Sequence, residues 1–337
     1  MTLPDKISKH FHVQAKACER LGSPFTAALN RVYPAVIEAD AAARDGIGRR
    51  LRDWPGDPFA DALSVRVGGG LMALTEAEPG GTLAAVYPPA PLDPEALAAA
   101  VAEAFATRAE ALDPWLDRVP QTNEVARSGV LLGGLLHIAA RTGLPLELLE
   151  IGSSAGVNLA LDAHAYDFGE GRHWGDPDDP VRIACTWTGA APPLDAPLKV
   201  AARRGCDAHP IDARDGAARA RMLVYIWPDQ SLRRARAEAA LLKAAALGNV
   251  AEAADALEWL PARLAEPQTA GRTRVVMHSI MWQYLPEATQ TALTDAIHAA
   301  GAVATPDRPL AWIRLEADGT AASAGIFLDL WPAGVSV

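Results

Sequence analysis

Residues 146–162 read Leu-Glu-Leu-Leu-Glu-Ile-Gly-Ser-Ser-Ala-Gly-Val-Asn-Leu-Ala-Leu-Asp. A buried-strand pattern ends in an acid, passes through small residues and opens a helix. Gly152 and Gly156 bracket a turn where backbone can approach a ligand without Cβ obstruction. A helix beginning there would present free N–H groups and the positive end of its dipole to that ligand. Glu150, Ser153, Ser154 and Asn158 place polar groups at the same edge. The chemistry that fits these types at this spacing is nucleotide binding.

Three motif patterns compete for the turn. The dinucleotide fingerprint G-x-G-x-x-G, laid on Gly152, needs glycine where Ser154 and Val157 stand. Gly152 to Gly156 also spells G-x-S-x-G, the nucleophile elbow of α/β-hydrolases. On that alternative Ser154 is the nucleophile, Asp229 the orienting acid and His278 the base, in the chain order Ser, Asp, His. The third pattern, acid-x-G-x-G-x-G, resembles motif I of class I S-adenosylmethionine-dependent methyltransferases, matched at Glu150, Gly152 and Gly156. Ser154 replaces its middle glycine. That resemblance implies S-adenosylmethionine as cofactor and a Rossmann-like, seven-stranded methyltransferase-type sheet.

The elements expected to position the turn start with it. Strand patterns follow at 199–206, 209–212, 222–227, 273–278, 309–316 and 324–331, which with 146–151 makes seven. Helical stretches at 230–246, 251–265 and 286–300 suit crossovers in an open parallel sheet. The last two strands are joined by too few residues for a crossover helix, so an antiparallel hairpin is expected. A hydrolase elbow would come later in its sheet, and the chain upstream offers no series of strands and no His-Gly-Gly oxyanion loop.

A second acid belongs at the end of the second strand, where it can accept hydrogen bonds from ribose hydroxyls. Asp207 in Arg-Gly-Cys-Asp-Ala-His-Pro is the candidate, with Asp212 either beside the adenine or acting as a turn carboxylate. Residues 164–197 form an insertion whose alternation and glycine-rich turns predict a β-hairpin flap. Upstream, helices are expected over 7–43, with a break at Gly22-Ser23-Pro24, and from Asp93 to about Leu112. The division expected is a mainly helical cap over 1–115 and a Rossmann-like domain over 116–337.

Substrate contacts are expected from three segments. Gln121, Asn123, Glu124 and Arg127 enter a helix just before the turn, where helix capping with a surface ion pair is the alternative role. Trp227, Asp229 and Gln230 follow the 222–227 pattern, at a position resembling methyltransferase motif IV, with Trp227 as a wall. His278 ends the 273–278 pattern and is followed by Trp282 and Tyr284; His278 is the candidate general base for an acceptor hydroxyl or amine. Gln-Thr-Asn-Glu-Val-x-Arg from 121, Leu-Glu-Ile-Gly-x-Ser-Ala-Gly-x-Asn-Leu from 149, Trp-Pro-Asp-Gln from 227 and His-Ser-x-x-Trp-Gln-Tyr-Leu-Pro from 278 together resemble an uncharacterised bacterial family. It is a domain of unknown function with a methyltransferase-like fold, and Ser154 belongs to its motif.

Composition narrows the partners. A chain of 337 residues, half of them hydrophobic, buries a large core. A net charge of −10 opposes a nucleic-acid surface, which needs a concentrated basic field. Three widely spaced cysteines give neither a disulfide framework nor a metal signature, so a reducing cytoplasm is expected and no metal. No signal sequence or membrane span is read. The expectation is methyl transfer to a small molecule; the alternatives are the serine hydrolase and a non-catalytic nucleotide-binding or sensor protein.

Overall fold

The computed structural model describes residues 2–41, 46–248, 251–320 and 323–332. The chain divides into two compact units, one formed by 1–122 with 220–235 and the other by 123–219 with 236–337.

The first unit is helical: α1 (Asp5–Arg20), α2 (Pro24–Asp40), α3 (Ile47–Arg52), α4 (Leu63–Ala77), α5 (Thr82–Val86), α6 (Pro94–Thr107) and α7 (Ala109–Asp117). Ile7, Phe11, Ala15 and Cys18 recur at helical spacing and form the buried face of α1. Pro24 begins α2, where a missing N–H costs nothing, and Phe25, Leu29, Tyr33, Val36 and Ile37 enter one apolar core with Leu71, Leu97 and Phe105. Asp93 caps α6 by accepting from the N–H groups of Glu95 and Ala96.

The second unit carries α8 (Ser128–Thr142), β1 (Leu146–Ile151), β2 (Ala165–Asp167), β3 (His173–Trp174), β4 (Arg182–Ala184) and β5 (Val200–Asp207). After α9 (Gly216–Leu223) and α10 (Ser231–Ala246), which run through the unit boundary, come β6 (Glu252–Ala253), α11 (Ala256–Ala265), β7 (Thr273–Ser279), α12 (Glu287–Ala302), β8 (Leu310–Ala317) and β9 (Ala324–Trp331). The main sheet has the order β6-β5-β1-β7-β8-β9. Its first five strands are parallel and β9 closes it as an antiparallel hairpin on β8. Every residue of β7 and five of the six in β1 are buried, which is why both read as continuous apolar runs.

The main sheet therefore has six strands, against seven expected. Two of the strand patterns fold otherwise. Residues 222–223 end α9, and Val224, Tyr225 and Ile226 continue in turns whose N–H groups bond to Ala220, Met222 and Leu223 carbonyls. All three are buried, and a short buried apolar run has the same periodicity whether strand or helix end. Residues 209–212 are irregular: Pro210 has no N–H to give a ladder, and Ile211 donates to the Ser154 carbonyl at 3.2 Å. A two-residue strand, β6, instead takes the sheet edge beside Cys206 and Asp207. The 164–197 segment contains a separate three-stranded sheet, β3-β2-β4, in which β2 pairs antiparallel with β3 and parallel with β4.

Candidate functional site

From β1 the chain runs to β5 and β6 on one side, then crosses to β7 on the other. Loops after β1 and β7 thus both leave the carboxyl edge at the reversal of strand order, the point where open parallel sheets hold ligands. Glu150 and the turn 152–156 stand at this reversal.

Glu150 is 1% exposed and carries one hydrogen bond, from Asn158 Nδ2 at 3.3 Å; its Oε2 has no partner, nor does Asn158 Oδ1. Burial, with a smaller push from Asp207, raises the Glu150 carboxyl to about 8. Asn158 also reaches Asn123 Oδ1 at 3.5 Å, and Asn123 Nδ2 donates to the Ser153 carbonyl at 3.1 Å. Glu150, Ser153 and Asn158, all buried, and half-buried Asn123 are thus one polar network under the turn.

The turn is held from β5. Ser153 donates through its N–H and its hydroxyl to the Cys206 carbonyl, at 3.0 and 3.1 Å. Asp207 accepts the Ser154 N–H at 2.9 Å and the His209 N–H at 2.8 Å. Gly152, Ser154 and Gly156 all have positive φ, at 69°, 50° and 72°, so two positions demand glycine and a serine occupies the third at a cost in strain. A Cβ on Gly152 would lie 2.9 Å from Met281 Cγ. The glycine is required by the Met281 side chain packed on it. The following element also departs from expectation: Val157–Ala163 is a seven-residue 3₁₀ segment, so the turn does not open an α-helix with an aligned dipole.

His278 is 0% exposed at the end of β7. Its Nδ1 lies 2.6 Å from Glu316 Oε1, its Nε2 accepts the Trp312 indole N–H at 3.1 Å, and its ring stacks on Trp282 at 4.6 Å. Burial holds the imidazole below its ordinary range despite Glu316, so it stays neutral with the proton on Nδ1. With both nitrogens engaged, the ring has no lone pair for the proton transfers expected of it, and its carboxylate partner is Glu316 in place of Asp229. Glu316 Oε1 also accepts the Met281 N–H at 3.2 Å. This bond and the Ile280 N–H to Leu315 carbonyl bond at 2.8 Å hold Ile280 at φ 49°, a costly value for a β-branched residue.

The match to a family model spans residues 8–337 and carries the description "uncharacterized protein conserved in bacteria" (DUF2332). The chain belongs to this family. No curated protein and no solved structure matches it.

The remaining expected site residues divide between the two units. Arg127 donates to the Ser279 carbonyl at 3.4 Å, tying α8 to the end of β7. Glu124 caps the turn before α8 through Ala126 N–H at 3.0 Å and pairs with Arg236 at 3.2 Å, the capping-plus-ion-pair role. Asp212 is a turn carboxylate: Arg214 binds it through N–H and guanidinium, which lowers it to about 2. Tyr284 is 75% exposed. Gln121, Trp227, Asp229 and Gln230 belong to the helical unit. There Asp229 closes the start of α2, accepting from Ser23 Oγ and from the Phe25 N–H at 2.9 Å. Gln230 meets the Leu21 carbonyl at 3.5 Å and Arg233 at 2.9 Å. Asp229 and Gln230 thus follow a helix end and not the strand expected before them.

Glu316 and Met281 were not singled out from sequence. The available signal for Glu316 is its place with Arg314, two charges at alternate positions of an otherwise apolar strand. Among the described residues, no group of three or more His, Cys, Asp or Glu is arranged to hold a metal ion. No helix of the described residues is long and apolar enough to cross a membrane.

Proposed function

We propose that this protein binds S-adenosylmethionine at the carboxyl edge of the main sheet and methylates a small molecule. The observation that carries this reading is the position of Glu150 and the turn 152–156 at the reversal of strand order, with Asp207 at the end of the neighbouring strand. Orphaned Glu150 Oε2 and Asn158 Oδ1 support it further, because buried polar atoms without partners cost free energy unless something meets them.

On this reading Glu150, Gly152, Ser153, Ser154, Gly156, Asn158 and Asp207 hold the cofactor. When bound, the cofactor supplies a methyl group on a sulfonium, which is an excellent leaving group. The protein's task is then alignment and exclusion of water rather than acid–base chemistry. Asp207 holds the Ser154 backbone, Asn123 and Asn158 tie the turn to α8, and the Glu316–His278 pair fixes the 280–282 turn against Gly152. No proton transfer is assigned to His278, whose nitrogens are both engaged.

The test is calorimetric titration with S-adenosylhomocysteine, with Asp207→Ala alongside. Micromolar binding that the variant loses while remaining folded is expected. Absence of binding by folded wild-type protein overturns the reading.

A further inference from the structure

The helical unit contains a partly enclosed cavity of about 40 Å³, walled by α1, α2, α4 and residues 224–228. Tyr33, fully buried, lines it with a hydroxyl that has no hydrogen-bond partner. Three polar residues of the wall satisfy one another. Ser64 Oγ donates to Asn30 Oδ1 at 2.6 Å, and Asn30 Nδ2 donates to the Thr26 carbonyl at 2.8 Å. The Tyr33 hydroxyl is left over, and an unmet buried hydroxyl costs about 1–3 kcal/mol.

A second observation points to the same space. Gly68, Gly69 and Gly70 stand consecutively inside α4, where each costs roughly 0.5–1 kcal/mol relative to alanine. Two have packing reasons: a Cβ on Gly69 would clash with the Tyr225 ring at 2.5 Å, and one on Gly70 would lie a tight 3.1 Å from Trp115. Gly68 is not forced. Its Cβ would meet only the Tyr33 hydroxyl, at an ordinary 3.7 Å. What the absence of a side chain at Gly68 preserves is room above that hydroxyl. Among the described residues, those lining the cavity carry no charged side chain, and Ile226 and Trp227 give it an apolar wall. An ion would enter without a partner at a cost of several kcal/mol, so the cavity selects neutral molecules.

We propose that this cavity binds a small uncharged organic molecule, its hydroxyl or carbonyl oxygen on the Tyr33 hydroxyl and its apolar part against Ile226 and Trp227. The site lies wholly within the helical unit and does not depend on the methyl-transfer reading. Its size suits a molecule of about two heavy atoms; ordered water alone is the competing occupant.

The experiment is fluorine NMR of full-length protein labelled with fluorotryptophan, the Trp227 signal assigned through Trp227→Phe. Methanol and formamide serve as neutral probes, with formate and methylammonium as charged counterparts. A saturable shift of the Trp227 signal by the neutral probes alone is expected. Gly68→Leu, which fills the space, abolishes it. Tyr33→Phe, which keeps the ring and guards against a misfolded Gly68→Leu, weakens it about tenfold. No saturable shift in the wild type means ordered water only and overturns the proposal. A shift retained in Tyr33→Phe and in folded Gly68→Leu overturns it, as does equal binding of the charged probes.

Discussion

Glu150 and Glu316 stand on strands that flank β7 on either side, and the same fold treats them differently. Glu316 shares one oxygen between His278 and the Met281 N–H, so its strand is tied to the turn after β7. Glu150 has a single hydrogen bond of 3.3 Å, from Asn158, and in both carboxyls the second oxygen has no partner. One carboxyl fastens a strand to a turn through two contacts at one oxygen, and the other is held by one long hydrogen bond. A buried acid acquires its role from what surrounds it, and here the partners, more than the burial, differ.

The contrast is broken most severely by His278→Ala. The substitution removes the Glu316 partner, the Trp312 acceptor and the ring stacked on Trp282, and leaves a cavity in a fully buried position. A loss of about 3 kcal/mol or more is expected in urea unfolding. A loss under about 1 kcal/mol would mean that the pair is not the fastening described.

Glu150→Gln tests the other side. The folded carboxyl is raised to about 8 from an ordinary 4.5, so between those values the folded state holds a proton that the unfolded chain has released. The stability from this group is fully present below the unfolded value and is lost as pH rises through the folded one. Wild-type stability, measured against Glu150→Gln, should therefore fall by roughly 4 kcal/mol between about pH 5 and about pH 9. Parallel pH profiles for the two proteins would show that Glu150 does not titrate in this window. Asn158→Ala should sharpen this effect. Asn158 donates the one hydrogen bond that favours the ionised carboxyl, so its loss moves the midpoint of the decline to higher pH and costs roughly 1 kcal/mol.

The two carboxyls were also unequally legible in sequence. Glu150 ends an apolar run and precedes a glycine turn, a local pattern, and β1 and β7 were readable because buried parallel strands are near-continuous apolar runs. Glu316 acts on His278, 38 residues away, and the pairing comes from the β7–β8 register, which no local pattern encodes. The same blindness explains 222–227. Met-Leu-Val-Tyr-Ile has strand composition, yet its N–H groups bond back three and four residues, and the polar residues after it fold with the helical unit. Gly152 shows the subtler case: the motif explains why a glycine stands there, whereas the packing of Met281 against it emerges only in three dimensions.

Ser154→Gly carries the smallest expected effect on stability and the sharpest discrimination at the site. Ser154 sits at φ 50°, where glycine is unstrained, and its N–H bond to Asp207 belongs to the backbone and survives the change. Relief of strain is offset by the greater freedom of glycine in the unfolded chain, so stability should change by less than about 1 kcal/mol. The substitution also completes the acid-x-G-x-G-x-G pattern. If the turn holds a cofactor by its backbone, affinity for S-adenosylhomocysteine should stay within about threefold of wild type, a difference of roughly 0.7 kcal/mol. A nucleophilic Ser154 predicts something else: labelling of the wild type by a fluorophosphonate probe, abolished in Ser154→Gly. Such labelling would require a base other than His278, since the only lone pair on that ring is engaged by Trp312.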